Sequence, residues 1–440
     1  FDFEQIDHDT PERLEQSLHN TINNMASKAG LVLSTQLLKE KFAELIVKLA
    51  EQGGPVAVII DEYDKAILDH LANKTKADAM RELLRNFYGT LKSKDVDSNL
   101  HFVFITGVSK FSKVALFSEL NNLSDLTMHP RAATLCGYTQ AELELIFDEH
   151  IDDFAQKQNT TKQHMLDELK RWYNGYDFAL TKQTMYNPFS ILNCFDQLRF
   201  SNYWFTSGTP NFLIQALAQN PRAAEELIGI NPWQIAASDL DAFSAETYYK
   251  KLNTLFVQTG YLTFAGYNPV SDLYTLKYPN YELQKSMTEN IFDFVLHIDK
   301  VQWGNMVERF RIALGKKDIE AFCGHMRDFF KLIPHTIVIK HEHYFQSVFF
   351  SVATAVGARI EAEYGTYRGF IDAVIETDDH VFIIEFKHDK TPDAALKQID
   401  DRDYQAKFKI VGDKPISLVG MNFYVTETSI EIDWMIKDRV

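Results

Sequence analysis

The sequence predicts an α/β protein in three parts, residues 1–138, 139–330 and 331–440, and three observations carry that prediction. Two short apolar runs, Val56–Ile60 and His101–Ile105, flank a helical stretch, which is the strand–helix–strand order of a layered sheet. From about Thr139 to Phe330 apolar residues recur mostly at helical spacing. Strand-like runs return around Ile371–Ile375, Val381–Phe386 and Ile416–Val425, with helices expected at His343–Val356 and Ala394–Lys407. A length of 440 residues fits two to four domains.

The elements follow in order. Residues 1–50 read as helical, because Leu14, Leu18, Ile22 and Met25, then Phe42, Leu45, Ile46 and Leu49, fall on single helix faces. Gln52-Gly53-Gly54-Pro55 interrupts them. Val56–Ile60 has no polar residue, so it reads as a strand buried on both faces of a parallel sheet. A helix is expected over Met80–Leu91, and the second strand ends in Thr106-Gly107. In the middle part, loops are expected at Tyr173–Tyr176, Tyr186–Pro188 and Ser207–Pro210, and clustered aromatics such as Tyr203-Trp204-Phe205 suit contacts between helices.

Composition excludes several classes. With 61 acidic and 45 basic residues the net charge is −16, which repels phosphate backbones at long range and argues against a sequence-blind DNA coat. A local nucleic-acid site remains compatible with it. Cys136, Cys194 and Cys323 form no CxxC pair, so neither a zinc ribbon nor a disulfide framework is expected, and a reducing, cytoplasmic location fits. No run approaches the roughly 20 apolar residues of a membrane span, and no signal peptide is visible.

Two acidic constellations carry chemistry. Asp61 and Glu62 end the first apolar strand, the pattern of a Walker B strand that delivers carboxylates to the ligand-binding edge of a sheet. Asp61 would hold a nucleotide's Mg²⁺ and Glu62 would orient the attacking water. Thr106, at the end of the neighbouring strand, would sense the terminal phosphate, with Asn121 and Asn122 as further polar candidates. The plain alternative is strand-end and turn chemistry. The phosphate-cradling loop GxxxxGK followed by Ser or Thr is not in the sequence, and Gly315-Lys316-Lys317-Asp318 does not supply it. ATP hydrolysis is therefore not expected of the chain as it stands. The first residue is Phe1 rather than Met, so ATP is a cofactor only if that loop lies upstream.

The second constellation is more specific. Asp372 and Glu385 are 13 residues apart, a spacing that suits a β-hairpin turning at Thr377–His380. Glu385 and Lys387 are two apart and share a face, while Phe386 points away. Asp372, Glu385 and the Phe386 carbonyl would supply oxygen ligands to Mg²⁺ or Mn²⁺. The metal would activate water, and Lys387 would position it and offset developing charge. Glu342, just ahead of the next helix, is the candidate third carboxylate. Gln398 and Tyr404, six residues apart on the expected Ala394–Lys407 helix, would contact substrate. This is the PD-(D/E)XK arrangement of metal-dependent nucleases. His341 and His343 flank Glu342, but residues two apart on a helix do not face each other, so no His-based metal site is expected.

Together these residues resemble a bacterial and archaeal family, AAA-ATPase-like proteins with a C-terminal PD-(D/E)XK nuclease domain. The resemblance covers nearly the whole chain. It runs through Ile59-Ile60-Asp61-Glu62-Tyr63-Asp64-Lys65, Phe104-Ile105-Thr106-Gly107-Val108-Ser109-Lys110-Phe111 and Leu120-Asn121-Asn122-Leu123. It continues through Trp172-Tyr173-Asn174-Gly175-Tyr176, Tyr186-Asn187-Pro188-Phe189-Ser190 and Tyr203-Trp204-Phe205 with Ser207-Gly208-Thr209-Pro210, to Ile384-Glu385-Phe386-Lys387, Gln398-Ile399 and Tyr404. It implies a P-loop ATPase-like α/β part without its phosphate loop, a helical middle and a restriction-endonuclease-like α/β domain. Two departures stand out: the missing loop, and Phe370 where the family tends to have Arg, with Arg368 close by. The expected function is a Mg²⁺-dependent nuclease, most simply of DNA, coupled to an ATPase-like regulatory module that often assembles into oligomers. The alternative is a nucleotide-binding switch or scaffold with an inactive nuclease-like domain.

Overall fold

Thr10 and Pro11 start the first helix. The Thr10 hydroxyl accepts from the Arg13 N–H, and Pro11 supplies the fixed φ of a first turn. Helix α1 (Pro11–Lys28) then buries Leu14, Leu18 and Ile22. A computed structural model describes residues 1–71, 73–108, 123–208, 233–240, 252–296, 298, 300–333, 342–366, 369–377, 379–406, 408, 414–426 and 430–439. The residues before Thr10 are not helical, unlike the expectation for 1–50. The Phe3 N–H donates to Asp61 O at 3.1 Å and the Asp61 N–H donates to Phe1 O at 2.8 Å, so the first residues run beside the end of the first strand.

Helix α2 (Leu38–Gly53) leads into β1 (Val56–Ile60), which pairs in parallel with β2 (Leu100–Ile105) across α3 (Lys74–Gly89). Val58 and Ile60 are buried with the apolar stripes of the three helices. The opposite face is not covered among the described residues: Ile59, Phe102 and Phe104 are 55%, 48% and 38% exposed. The expected burial on both faces is therefore corrected. A run with no polar residue cannot mark which side of a strand stays uncovered.

In the middle part, α4 (Gln140–Ile146), α5 (Asp148–Lys157) and α6 (Lys162–Tyr173) are followed by α7 (Pro188–Gln197), α8 (Tyr203–Gly208), α9 (Leu252–Gln258), α10 (Tyr281–Leu296), α11 (Lys300–Gly315) and α12 (Ile319–Phe330). The structure adds strands, two where loops were expected around Tyr173–Tyr176 and Tyr186–Pro188 and three in a stretch expected to be mostly helical. β3 (Asn174–Tyr176) pairs with β4 (Met185–Tyr186), and β5 (Trp233–Ala236), β6 (Thr263–Asn268) and β7 (Leu273–Lys277) form a sheet in the order β5-β7-β6. Gly175 in β3 has φ +124°, and a Cβ there would lie 1.8 Å from the Pro279 carbonyl oxygen. Glu282, fully buried at the start of α10, accepts from the Ser190 hydroxyl and the Trp204 N–H, both at 2.7 Å. One carboxyl thus ties α7 and α8 to α10, and burial pushes it up to about 7.

The C-terminal sheet has the order β12-β11-β10-β9-β8, built from β8 (Arg359–Thr366), β9 (Gly369–Glu376), β10 (Val381–His388), β11 (Ile416–Val425) and β12 (Ile430–Arg439). Only β10 and β11 are parallel, so they need a crossover, and α14 (Pro392–Asp401) provides it on one face. Helix α13 (Glu342–Ala355) covers the other face, with Phe349 5.0 Å from Phe386 and Phe345 4.9 Å from Phe423 between ring centroids. Burying each such ring contributes about 1.5–3 kcal/mol. Gly420 pairs with Glu385 across β10 and β11, and a Cβ on it would sit 2.2 Å from Pro392 O on α14. Gly420→Ala should therefore lift α14 off the sheet and cost about 1–3 kcal/mol. An unchanged urea midpoint would refute this close approach. No helix among the described residues is long and apolar enough to cross a membrane.

Candidate active site

The site grows from the place where β9 and β10 separate. Their antiparallel pairing runs from Val381 opposite Glu376 to Ile384 opposite Ala373 and then stops. Beyond it, the N–H groups of Phe386 and His388 face the open edge without strand partners. Two carboxylates take them: Asp372 Oδ2 accepts from the Phe386 N–H at 2.7 Å, and Glu342 Oε2 accepts from the His388 N–H at 3.1 Å. Alternation along β10 turns Phe386 and His388 toward α13, with His388 stacked 5.3 Å from Phe345, and turns Glu385 and Lys387 toward α14.

Glu385 is 1% exposed. Its Oε1 accepts from Gln398 Nε2 and lies 3.3 Å from Lys387 Nζ, while its Oε2 is buried with no hydrogen-bond partner. Burial, then the charge of Asp372, pushes this carboxyl up to about 8 against the pull of Lys387. Lys387, also buried, donates from Nζ to the Phe386 carbonyl at 2.6 Å. Its ammonium thus rests on two of the three oxygen groups expected to hold a metal.

The structure brings Asp372, Glu385, Lys387 and Gln398 together. Glu342 is held at the His388 N–H, two residues along β10 from the N–H that holds Asp372. Among the described residues no group of three or more Asp, Glu, His or Cys side chains is close enough to share a metal ion. His341 and Arg368 lie outside the described residues. Tyr404 is not on a helix with Gln398. Helix α14 ends at Asp401, Asp403 has φ +47°, and Tyr404 follows in the turn. Its buried hydroxyl donates to Phe370 O at 2.5 Å and accepts from Arg402 Nη1 at 2.9 Å. Sequence reasoning missed Arg402, whose signal was a lone basic residue in the acidic run Asp400-Asp401-Arg402-Asp403.

The donor set fits a hard divalent cation such as Mg²⁺. Two carboxylates and a carbonyl are oxygen ligands, and Glu385 Oε2 is a buried acceptor that a cation would satisfy. Burial beside Asp372 pushes the Glu385 carboxyl up to about 8 and so favours its protonated form when no metal is bound. Its neutral form stabilises the fold fully below about pH 4.5, and that contribution is lost as pH rises through 8. Metal must displace the proton, so Mg²⁺ affinity is expected to rise toward pH 8, with proton release at pH 7. Calorimetry in buffers of different ionisation enthalpy measures it; affinity independent of pH from 6 to 9 would reject it.

At the other acidic site the structure joins Asp61 and Thr106. Asp61 Oδ1 accepts from Thr106 Oγ1 at 3.3 Å and from the Glu62 N–H at 3.0 Å. Glu62 has φ +53°, and burial, then Glu4, pushes its carboxyl up to about 7 while Lys65 opposes the shift. Asn121 and Asn122 lie outside the described residues. Asp64, which sequence reasoning passed over, is fully buried and accepts from the Val108 N–H at 3.1 Å. A Cβ at Gly107 would fall 2.5 Å from Asp64 Oδ1 and 2.4 Å from the Tyr63 ring, so glycine lets the two strand-end loops meet.

Comparison with known proteins gives two family matches. Residues 1–117 match the family described as "Predicted AAA-ATPase", and residues 340–433 match the PD-(D/E)XK nuclease superfamily. The chain is also 33% identical over 413 residues to a protein of Azotobacter chroococcum mcd 1 named "Uncharacterized protein in vnfD 5'region". The alignment covers 92% of this chain and 76% of that protein. No solved structure matches. The splayed β9–β10 hairpin lies inside the second matched stretch and the Asp61 strand inside the first, and the chain belongs to the family of AAA-ATPase-like proteins that carry a C-terminal PD-(D/E)XK nuclease domain.

Proposed function

We propose that the chain is a Mg²⁺- or Mn²⁺-dependent nuclease that hydrolyses phosphodiester bonds in DNA under control of its ATPase-like part. One observation carries the reading: Glu385, buried beside Asp372 and Lys387, keeps an oxygen with no protein partner. A bound metal would lower the pKa of a water and neutralise charge on the phosphate. Asp372, Glu385 and the Phe386 carbonyl would hold it. Gln398 fixes Glu385 Oε1, which leaves Oε2 for the ligand. The Phe386 N–H fixes Asp372. Lys387 orients the attacking water and offsets the charge that develops as the bond breaks. Tyr404 acts one step back, holding the start of β9 through Phe370 O.

In the N-terminal part, Asp61 and Glu62 would hold a Mg²⁺-nucleotide and its water, with Thr106 beside the terminal phosphate. That reading holds only with the phosphate loop upstream, and the Asp61–Thr106 hydrogen bond keeps the two strand-end groups within reach of one ligand. The experiment that tests the main reading is cleavage of linear and circular DNA with Mg²⁺ or Mn²⁺, run beside Asp372→Ala. Cutting by the parent and not by the variant supports it; equal cutting by both rejects it.

A further inference from the structure

Arg402 is a cation at the site that the proposed chemistry leaves unused. It follows α14 directly, and its Nη1 donates to the Tyr404 hydroxyl at 2.9 Å. Because that hydroxyl is itself fixed on Phe370 O, the guanidinium is held over the start of β9. Gly369, with φ +140°, leaves room for it: a Cβ there would lie 3.0 Å from Nη1. Tyr404 is the main influence on the Arg402 charge, and the charges of Glu385 and Asp372 also reach it. Yet Arg402 forms no salt bridge among the described residues. A guanidinium has five N–H donors, and among the described residues one of them is used, on Tyr404.

Phe370 is the next residue along β9, and its carbonyl is the one the Tyr404 hydroxyl holds. The ring is 65% exposed, and the residue lies two before Asp372 on β9, hence on the same side of the strand. Its neighbour across β8 is Gly365, where even a Cβ would only touch the ring edge at 3.7 Å. A lone exposed aromatic is ordinary. This one follows the glycine under the Arg402 guanidinium and precedes a site carboxylate by two residues.

We propose that Arg402 and Phe370 form a platform for an unpaired nucleic-acid strand, with Arg402 holding the phosphate next to the scissile one and Phe370 stacking on the adjoining base. This rests on the nuclease reading of the same site and adds the substrate class. A flat ring gains from a base only when that base has left its own stack, as in a single strand or a frayed end. The guanidinium fork matches phosphate oxygens. The net charge of −16 points the same way. A chain that cannot rely on many phosphate contacts gains from stacking, which salt does not screen.

The test is fluorescence anisotropy of the full chain with a labelled 20-nucleotide single strand, as DNA and as RNA, and with the matching DNA duplex. Ca²⁺ replaces Mg²⁺ in the binding runs, and cleavage is followed with Mg²⁺. The single strand should bind more tightly than the duplex. Phe370→Ala should weaken single-strand binding about tenfold and leave the duplex unchanged. Arg402→Ala should weaken it as well, with part of the loss recovered in Arg402→Lys, and all three variants should melt with the parent. Single-strand binding unchanged in both alanine variants overturns the platform. So does a parent that binds and cuts duplex as well as single strand, although the nuclease reading then survives. If the parent cuts none of the three substrates, the nuclease reading falls and the platform falls with it.

Discussion

Lys387→Ala is expected to lower the single-turnover cleavage rate about 10²–10³-fold, with circular dichroism and melting close to the parent. Lys387 Nζ is the cation that contacts both Glu385 Oε1 and the Phe386 carbonyl. Removing a preorganised charge from a water-poor site loses the stabilisation it gives where negative charge develops. The fold should survive because the change leaves no bare buried charge. Glu385 already favours its neutral form, and Gln398 still donates to Oε1. Lys387→Arg should not restore the rate, since a planar fork does not fit the space of a compact ammonium. A Lys387→Ala protein that cuts like the parent removes the assignment of this hairpin as the cutting site.

Gly175→Ala is expected to cost about 3–5 kcal/mol from backbone strain and overlap together, with the added Cβ 1.8 Å from a backbone atom. The backbone at φ +124° is one that side chains rarely adopt, and the new Cβ would overlap Pro279 O at 1.8 Å, a backbone atom that cannot swing aside. The contact joins β3 to the residues that start α10, where Glu282 also anchors two other helices. Gly324→Ala is the control. Gly324 lies inside α12 with nothing within 4 Å of its added Cβ, so it should be neutral or slightly stabilising. Urea unfolding of the pair measures the contrast, and equal midpoints would show that β3 can give way.

The hairpin was legible because its code is local. Glu385 and Lys387 share a face through the period of two, and the spacing from Asp372 left room for one turn. Helices α1 and α13 were legible from apolar spacing for the same reason. What stayed hidden depends on neighbours distant in sequence. Apolar spacing carried the helix expected at Ala394–Lys407 past its end, because it cannot register the left-handed residue Asp403. Nothing in Gly420 announces that Pro392 will press against it. The strand character of Thr263–Asn268 and Leu273–Lys277 was masked by the helices on either side. The same is true of Glu342, whose partner is a backbone N–H exposed only because β9 and β10 part company.

That parting also sets an order of assembly. Except for Glu342, the site's groups come from β9, β10, α14 and the turn after it, a continuous stretch from Phe370 to Tyr404. The hairpin closes at Thr377, whose N–H donates to His380 O at 2.9 Å. So short a loop costs little entropy to close, and hairpins form within about 1–10 μs. The parallel pairing of β10 with β11 must wait for the α14 crossover and is the slower event. Asp372 and Glu385 are therefore expected to meet early in folding, and the later sheet closes around a pair of acids already in place.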